Sequence, residues 1–115
     1  MRMFTQITRR AKDTGTRRGV LTEVRVLTRE NAVALSPRII GAIEESVQTL
    51  GCPYRKMTSG AMHDAAHMAR ITDVGMVFIP CQGGVSHSPD ENAEPKDIEA
   101  GAKVLERTVL RLAND

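Results

Sequence analysis

Aromatic residues are almost missing from this chain: one Tyr, two Phe and no Trp in 115 residues. The large anchors that usually close a small core are therefore absent, and burial falls to Ile, Val, Leu, Met and Ala, at about 1.5–3 kcal/mol for each large side chain buried. The same shortage, with a net charge of only +2, argues against a nucleic-acid partner, since there are few rings for base stacking and little basic excess. Long apolar runs are absent too. Nothing approaches the roughly 20 residues of a membrane span, and the amino terminus lacks the apolar core of a signal peptide, so no membrane partner is expected. Cysteine is scarce, with only Cys52 and Cys81; reduced thiols in a cytoplasmic protein are the expectation. The basic residues Arg9, Arg10, Lys12, Arg17 and Arg18 read as a solvated surface.

What is present is one stretch with two centres. Ser59-Gly60-Ala61-Met62-His63-Asp64-Ala65 and Gly83-Gly84-Val85-Ser86-His87-Ser88-Pro89-Asp90-Glu91 each set a histidine among small residues, where backbone can approach a ligand and imidazole can reach a metal or a carbonyl oxygen.

The remaining pattern reads as scaffold. Met3, Phe4, Ile7 and Ala11 predict a helix from Arg2 to about Asp13, ended at Gly15. Val20–Leu27 alternates as a strand with Val20, Thr22, Val24 and Val26 on one face. Ser36-Pro37 opens a helix closed by Gly51, with Ser36 as cap and Ile39, Ile40, Ile43, Val47 and Leu50 buried. Tyr54–Thr58 is a short strand candidate, and Asp64–Arg70 has helix-forming composition. Gly75–Pro80, with Met76-Val77-Phe78-Ile79, reads as a strand buried on both faces, which implies a parallel or mixed sheet between helices. Cys81–Glu94 is a loop at the end of that strand, where open α/β sheets place ligands. Pro95 opens a last helix with Ile98, Gly101, Ala102, Leu105, Val109 and Leu112 inward.

His63 and His67 are four apart, the spacing that lets one helix offer two imidazoles to a zinc ion. A glycine turn directly before His63, and Asp64 in place of a longer glutamate, weigh against that motif. His87 lies in a loop between glycines and a proline, with Asp90 and Glu91 close behind, unlike a histidine packed in a core helix. One imidazole does not make a metal site, because catalytic zinc generally takes three protein ligands.

Ser59–Ala65, Gly75–Pro80, Gly84–Glu91, and Asp97 with Gly101-Ala102-Lys103-Val104-Leu105 together resemble the carboxyl-terminal part of a metal-dependent amidohydrolase family. That family includes N-carbamoyl-L-amino-acid hydrolase, β-alanine synthase and allantoate amidohydrolase, within the aminoacylase and carboxypeptidase superfamily. The resemblance implies an α/β fold: a partial open mixed sheet flanked by helices, the carboxyl-terminal piece of a zinc-peptidase-like catalytic domain at 31–115. Residues 1–30 are then a short helix-strand remnant of a lid or dimerisation domain. His87 matches the last ligand of a two-metal site holding zinc or manganese. Gly60, Ala61, Met62 and His63 match the loop lining the substrate pocket, and Asp64 begins the following helix, where its carboxylate can cap or orient that helix or touch substrate. In the family a metal-bound hydroxide attacks an amide or ureido carbonyl while a glutamate acts as base. The family usually has glycine where Met62 stands, so a bulky side chain borders the pocket here.

The other metal ligands and the glutamate base match nothing in these residues, so no catalytic residue is expected in this chain and at most one metal ligand. Two readings follow. In one, the chain is the carboxyl-terminal fragment of an amidohydrolase acting on a small-molecule N-carbamoyl amino acid, ureido acid or allantoate, inactive alone and partnered by an amino-terminal half or a second copy. In the other, it is a non-catalytic binding or oligomerisation module derived from that fold.

Overall fold

The structure, a computed structural model, describes residues 2–28 and 30–114. Contacts divide the chain into two units, Met1–Ala32 and Val33–Asp115.

In the first unit, helix α1 (Arg2–Arg17) runs past the expected stop at Asp13. Gly15 lies inside the helix and is buried; a Cβ there would fall on Thr22 Oγ1 and 2.8 Å from the Val20 carbonyl oxygen. Its missing side chain thus serves close approach of the returning chain, not helix termination. The turn itself is made at Gly19, φ 67°, and the Val20 N–H donates to the Gly15 carbonyl at 2.9 Å. The segment after it forms no strand. Thr22 and Val24 are half-buried as the alternation requires, but Val20 and Val26 are exposed.

In the second unit, helix α2 (Pro37–Thr49) follows Ser36 and Pro37 as expected. Ser36 has extended backbone but its hydroxyl makes no cap bond; its N–H instead donates to the Val74 carbonyl at 2.9 Å. At the other end Gly51 adopts φ 65°, and the Cys52 and Gly51 N–H groups donate to the Val47 and Gln48 carbonyls, so the last turn is closed by a left-handed glycine. A short helix, α3 (Asp64–Met68), and a long one, α4 (Pro95–Ala113), complete the unit. Helices α2 and α4 pack against each other, burying Ala42, Ser46 and Val47 against Val104 and Thr108. Ser46 and Thr108 tolerate burial because each hydroxyl donates to the carbonyl one turn back, Ala42 at 2.8 Å and Val104 at 2.7 Å. Arg111 pairs with Glu45 at the edge of this contact.

The expected mixed sheet is not formed: among the described residues there is no strand. Residues 75–79 nevertheless run against both helices, since a Cβ on Gly75 would meet Ile39 Cγ2 at 2.5 Å and one on Gly101 would meet Ile79 Cγ2 at 2.5 Å. Residues 74–77 are half-buried while Phe78 and Ile79 are exposed, so the segment is covered on one side, not two. A strand is defined by a hydrogen-bonded neighbour, and these residues have none. Tyr54–Thr58 is likewise unpaired; side chains hold it to α2. Tyr54 donates its hydroxyl proton to Glu44 at 2.7 Å and accepts from Gln48 at 2.9 Å, and Lys56 reaches Glu44 at 2.6 Å. The bonds to Lys56 and then Tyr54 hold the Glu44 carboxyl below its ordinary value, and the Glu44 bond holds the Lys56 ammonium above its own.

Helix α4 is rotated from the expected phase. Val104 and Thr108 are buried and Asp97, Ala100, Gly101 and Leu112 half-buried, whereas Ile98, Leu105 and Val109 are each more than half exposed. The small Gly101 and the self-satisfied Thr108 allow close approach to the 75–79 segment and α2, which the bulkier stripe would not.

Candidate functional site

The turn at 59–63 is braced by one side chain. Ser59 Oγ accepts the Ala61 N–H at 3.2 Å and lies 2.7 Å from His63 Nε2. An oxygen bonded to the N–H two residues on closes a small local turn. His63 occupies the N-cap position of α3 with extended backbone, φ −132°, ψ 150°. Its ring meets Phe78 edge-on, with centroids 5.5 Å apart and planes at 61°, within the range of a favourable aromatic pair. Gly60, Ala61 and Met62 are exposed beside it. Asp64 sits in the first turn of α3, where a carboxylate suits the helix dipole, although no side chain caps this helix.

Because His63 stands outside the helix and His67 inside it, the two imidazoles do not share a helical face, and the zinc-protease arrangement is not formed. His67 is exposed in the last turn of α3.

His87 is held by its backbone. With φ 59° it is the one non-glycine residue of positive φ among the described residues, a conformation uncommon outside glycine. Its N–H donates to Glu91 Oε2 at 2.8 Å, and Ser86 Oγ lies 2.7 Å from Nδ1. Occupying Nδ1 leaves Nε2 as the ring atom available to a ligand; metal-binding histidines generally have their second nitrogen held in this way. The loop around it is tied by Gln82, whose N–H donates to the Asn92 carbonyl at 2.7 Å and whose Nε2 donates to Glu94 at 2.6 Å. Gly83 and Gly84, at φ 62° and 68°, turn the chain after Cys81.

His63 and His87 were visible as candidates in the sequence; their supports were not. Ser59 is a small residue in a glycine turn, and Glu91 reads as one more loop acid. The one available signal is spacing: Ser59 to His63 and His87 to Glu91 are both four apart.

No three His, Cys, Asp or Glu side chains are grouped to hold a metal ion among the described residues. The donor set therefore does not amount to a metal centre, and His87 offers one donor at most. A concavity of about 370 Å³ on α1, lined by Phe4, Thr5, Thr8, Arg9, Lys12 and Asp13, contains none of the expected site residues. Cys52 and Cys81 form no disulfide, and no helix among the described residues is long and apolar enough to cross a membrane.

Residues 11–111 match the model of peptidase family M20/M25/M40, a family generally dependent on metal. A ureidoglycolate hydrolase of Oryza sativa subsp. japonica is 40% identical over 97 residues, covering 84% of this chain and 20% of the relative. An N-carbamoyl-L-amino-acid amidohydrolase of Paenarthrobacter aurescens is 36% identical over 94 residues, covering 82% of this chain and 23% of the relative. The crystal structure of AtUAH in complex with (S)-hydroxyglycine superposes with a TM-score of 0.88 at 33% identity, over 97% of this chain and 27% of that one. The chain thus spans about a quarter or less of the length of the curated relatives it matches. With a family model matched across most of its length and a fold shared with a solved member, the chain belongs to peptidase family M20/M25/M40.

Proposed function

We propose that the chain is the carboxyl-terminal part of an amidohydrolase that cleaves a non-peptide C–N bond in a small N-carbamoyl amino acid, ureido acid or allantoate. The relatives' names support the reaction class, and favour it over a non-catalytic module. The observation that carries the reading is His87: a strained backbone, a bonded Nδ1 and a free Nε2 are what a single, pre-oriented metal ligand needs. Zinc or manganese is the expected ion, in a two-metal centre whose other ligands and base lie outside this chain.

The chain's own part is binding and orientation. Gly60, Ala61 and Met62 are exposed around His63, and with the Ala61 N–H given to Ser59 the N–H groups of Gly60 and Met62 and the imidazole are those left to meet a carboxylate or ureido oxygen. Asp64 orients the start of α3. Residues 1–30 act as the lid or dimerisation remnant and 31–115 as the catalytic piece, with an amino-terminal half or a second copy as partner, in the cytoplasm.

The test is complementation. The purified chain is mixed with an amino-terminal partner and zinc or manganese, and hydrolysis of N-carbamoyl amino acids and allantoate is followed. Activity that needs both pieces, and loss of activity with bound metal in His87→Ala, is the expected result. A partner shown to bind but giving no hydrolysis of any of these substrates overturns the reading.

A further inference from the structure

We propose that Ser59 is the positioning residue of His63: its hydroxyl holds Nε2, fixes the Nδ1–H tautomer and so makes Nδ1–H the donor that meets the ligand. The inference rests on the reading above that His63 borders the substrate, and it goes further by naming the atom and the group it recognises.

Hydrogen-bond capacity decides which nitrogen of His63 carries the proton. A serine hydroxyl has one hydrogen and two acceptor sites. One acceptor site of Ser59 takes the Ala61 N–H at 3.2 Å, which fixes the oxygen relative to the turn. The remaining contact is His63 Nε2 at 2.7 Å, a length typical of a good hydroxyl bond. If Nε2 carried the proton, it would fill the second acceptor site and leave the hydroxyl hydrogen of Ser59 with no acceptor in the turn. If the hydroxyl donates to Nε2, its hydrogen and the acceptor site given to Ala61 are both engaged within the turn and the ring proton resides on Nδ1. The ring cannot simply rotate away from this arrangement without giving up its edge contact with Phe78. The consequence is chemical: an Nδ1–H presents a donor, matched to a carboxylate or carbonyl oxygen and mismatched to an amine or a metal ion. His63 and His87 then divide their roles by the atom each has engaged, Nε2 in the first and Nδ1 in the second.

The experiment is 15N NMR of the full chain labelled at histidine, at a pH where imidazole is neutral, with His63 assigned by His63→Gln. Nδ1–H is the expected major form. Ser59→Ala shifts the tautomer ratio toward Nε2–H by about fivefold, the equilibrium equivalent of one ordinary net hydrogen bond, whereas Ser59→Thr, which keeps the hydroxyl, restores the wild-type ratio. Nε2–H as the major form in the wild-type chain overturns the proposal, even if Ser59→Ala does not fold. An unchanged ratio in a folded Ser59→Ala overturns it equally. These outcomes are read without substrate, so they stand apart from the complementation test: with the tautomer confirmed, an unaltered KM in complemented His63→Gln would refute the substrate reading alone.

Discussion

Two glycines, Gly75 and Gly101, carry the packing of the 75–79 segment, and replacing each by alanine separates local from tertiary effects. At Gly101, in the middle of α4, alanine gains about 1 kcal/mol of helix propensity. Against this stands one close atom, Ile79 Cγ2 at 2.5 Å, with the next, Ile79 Cβ, at 4.0 Å. Ile79 is as stiff at χ1 as any β-branched residue, but at 39% exposure it has solvent on one side into which another rotamer or a small shift of its segment can move the methyl, and Gly101→Ala is expected to lie within about 1 kcal/mol of wild type. At Gly75 the new methyl would meet Ile39 Cγ2 at 2.5 Å, Ile43 Cδ1 at 2.9 Å and Ile39 Cβ at 3.3 Å. Ile39 is β-branched and stiff at χ1, and its Cβ moves only with α2 itself. The segment cannot retreat freely either, because the Val74 carbonyl holds the Ser36 N–H at 2.9 Å. Overpacking of this kind costs about 1–3 kcal/mol, against about 0.4–1 kcal/mol regained from a less flexible unfolded chain. Gly75→Ala is therefore expected to lose about 1–2 kcal/mol net. Urea unfolding followed by helical circular dichroism gives both values on one scale. A Gly75→Ala chain as stable as wild type, or less perturbed than Gly101→Ala, would refute the packing argument.

Three further outcomes follow from the same geometry. Val104→Ala, at a position 4% exposed, is expected to cost about 2 kcal/mol from lost transfer and a residual cavity, while Leu105→Ala, at 56% exposure, stays within about 0.5 kcal/mol; thermal melts that reverse this order would show that α4 faces the other way. Glu91→Ala removes the acceptor of the His87 N–H and is expected to speed exchange of that amide by about tenfold, as the loss of a charge-assisted bond implies; hydrogen-exchange NMR showing no change would mean that the positive φ is held by something else. By NMR titration, Glu44 should release its proton below the ordinary carboxylate value and Lys56 above the ordinary ammonium value. The sign is fixed by linkage: the Glu44 contribution to stability is present above the unfolded carboxylate value and lost as pH falls through the lowered one, and that of Lys56 is present below its unfolded value and lost as pH rises through the raised one. Glu44→Gln should return Lys56 to its ordinary behaviour, and a Lys56 unaffected by that change would break the pairing.

The parts of the fold legible in the sequence are those whose cause is local. Helix α2 could be read because Pro37 and Gly51 act within a few residues of its ends. Helix α4 could be found but not oriented, because it carries two stripes able to face inward, and the one that does contains a glycine and a threonine. Its choice is made by Ile79 and α2, which lie far away in sequence. Burial of Ser46 and Thr108 was hidden for a related reason: hydropathy counts a hydroxyl as polar, yet a hydroxyl that bonds the carbonyl one turn back has already satisfied itself. The strands failed differently. Alternation in Val20–Leu27 and the apolar run at 76–79 report a preference for extended backbone, whereas a ladder needs a partner, which no local pattern can supply.

The site follows the same division, and this bears on what the chain can do. The bonds that orient the two histidines span one to four residues: Ser59 to His63, Ser86 to His87, His87 to Glu91. Those that tie the His87 loop span ten to twelve, from Gln82 to Asn92 and Glu94. Neither set depends on the α2–α4 core, whose buried apolar residues among those described are Ala42, Val47 and Val104. A thin core lowers global stability, but a site organised by local bonds loses little order from it. The geometry around His63 and His87 is therefore set by bonds within the chain's own loops, while Phe78, bridging from the 75–79 segment to the His63 ring, is the point where packing and candidate site are coupled.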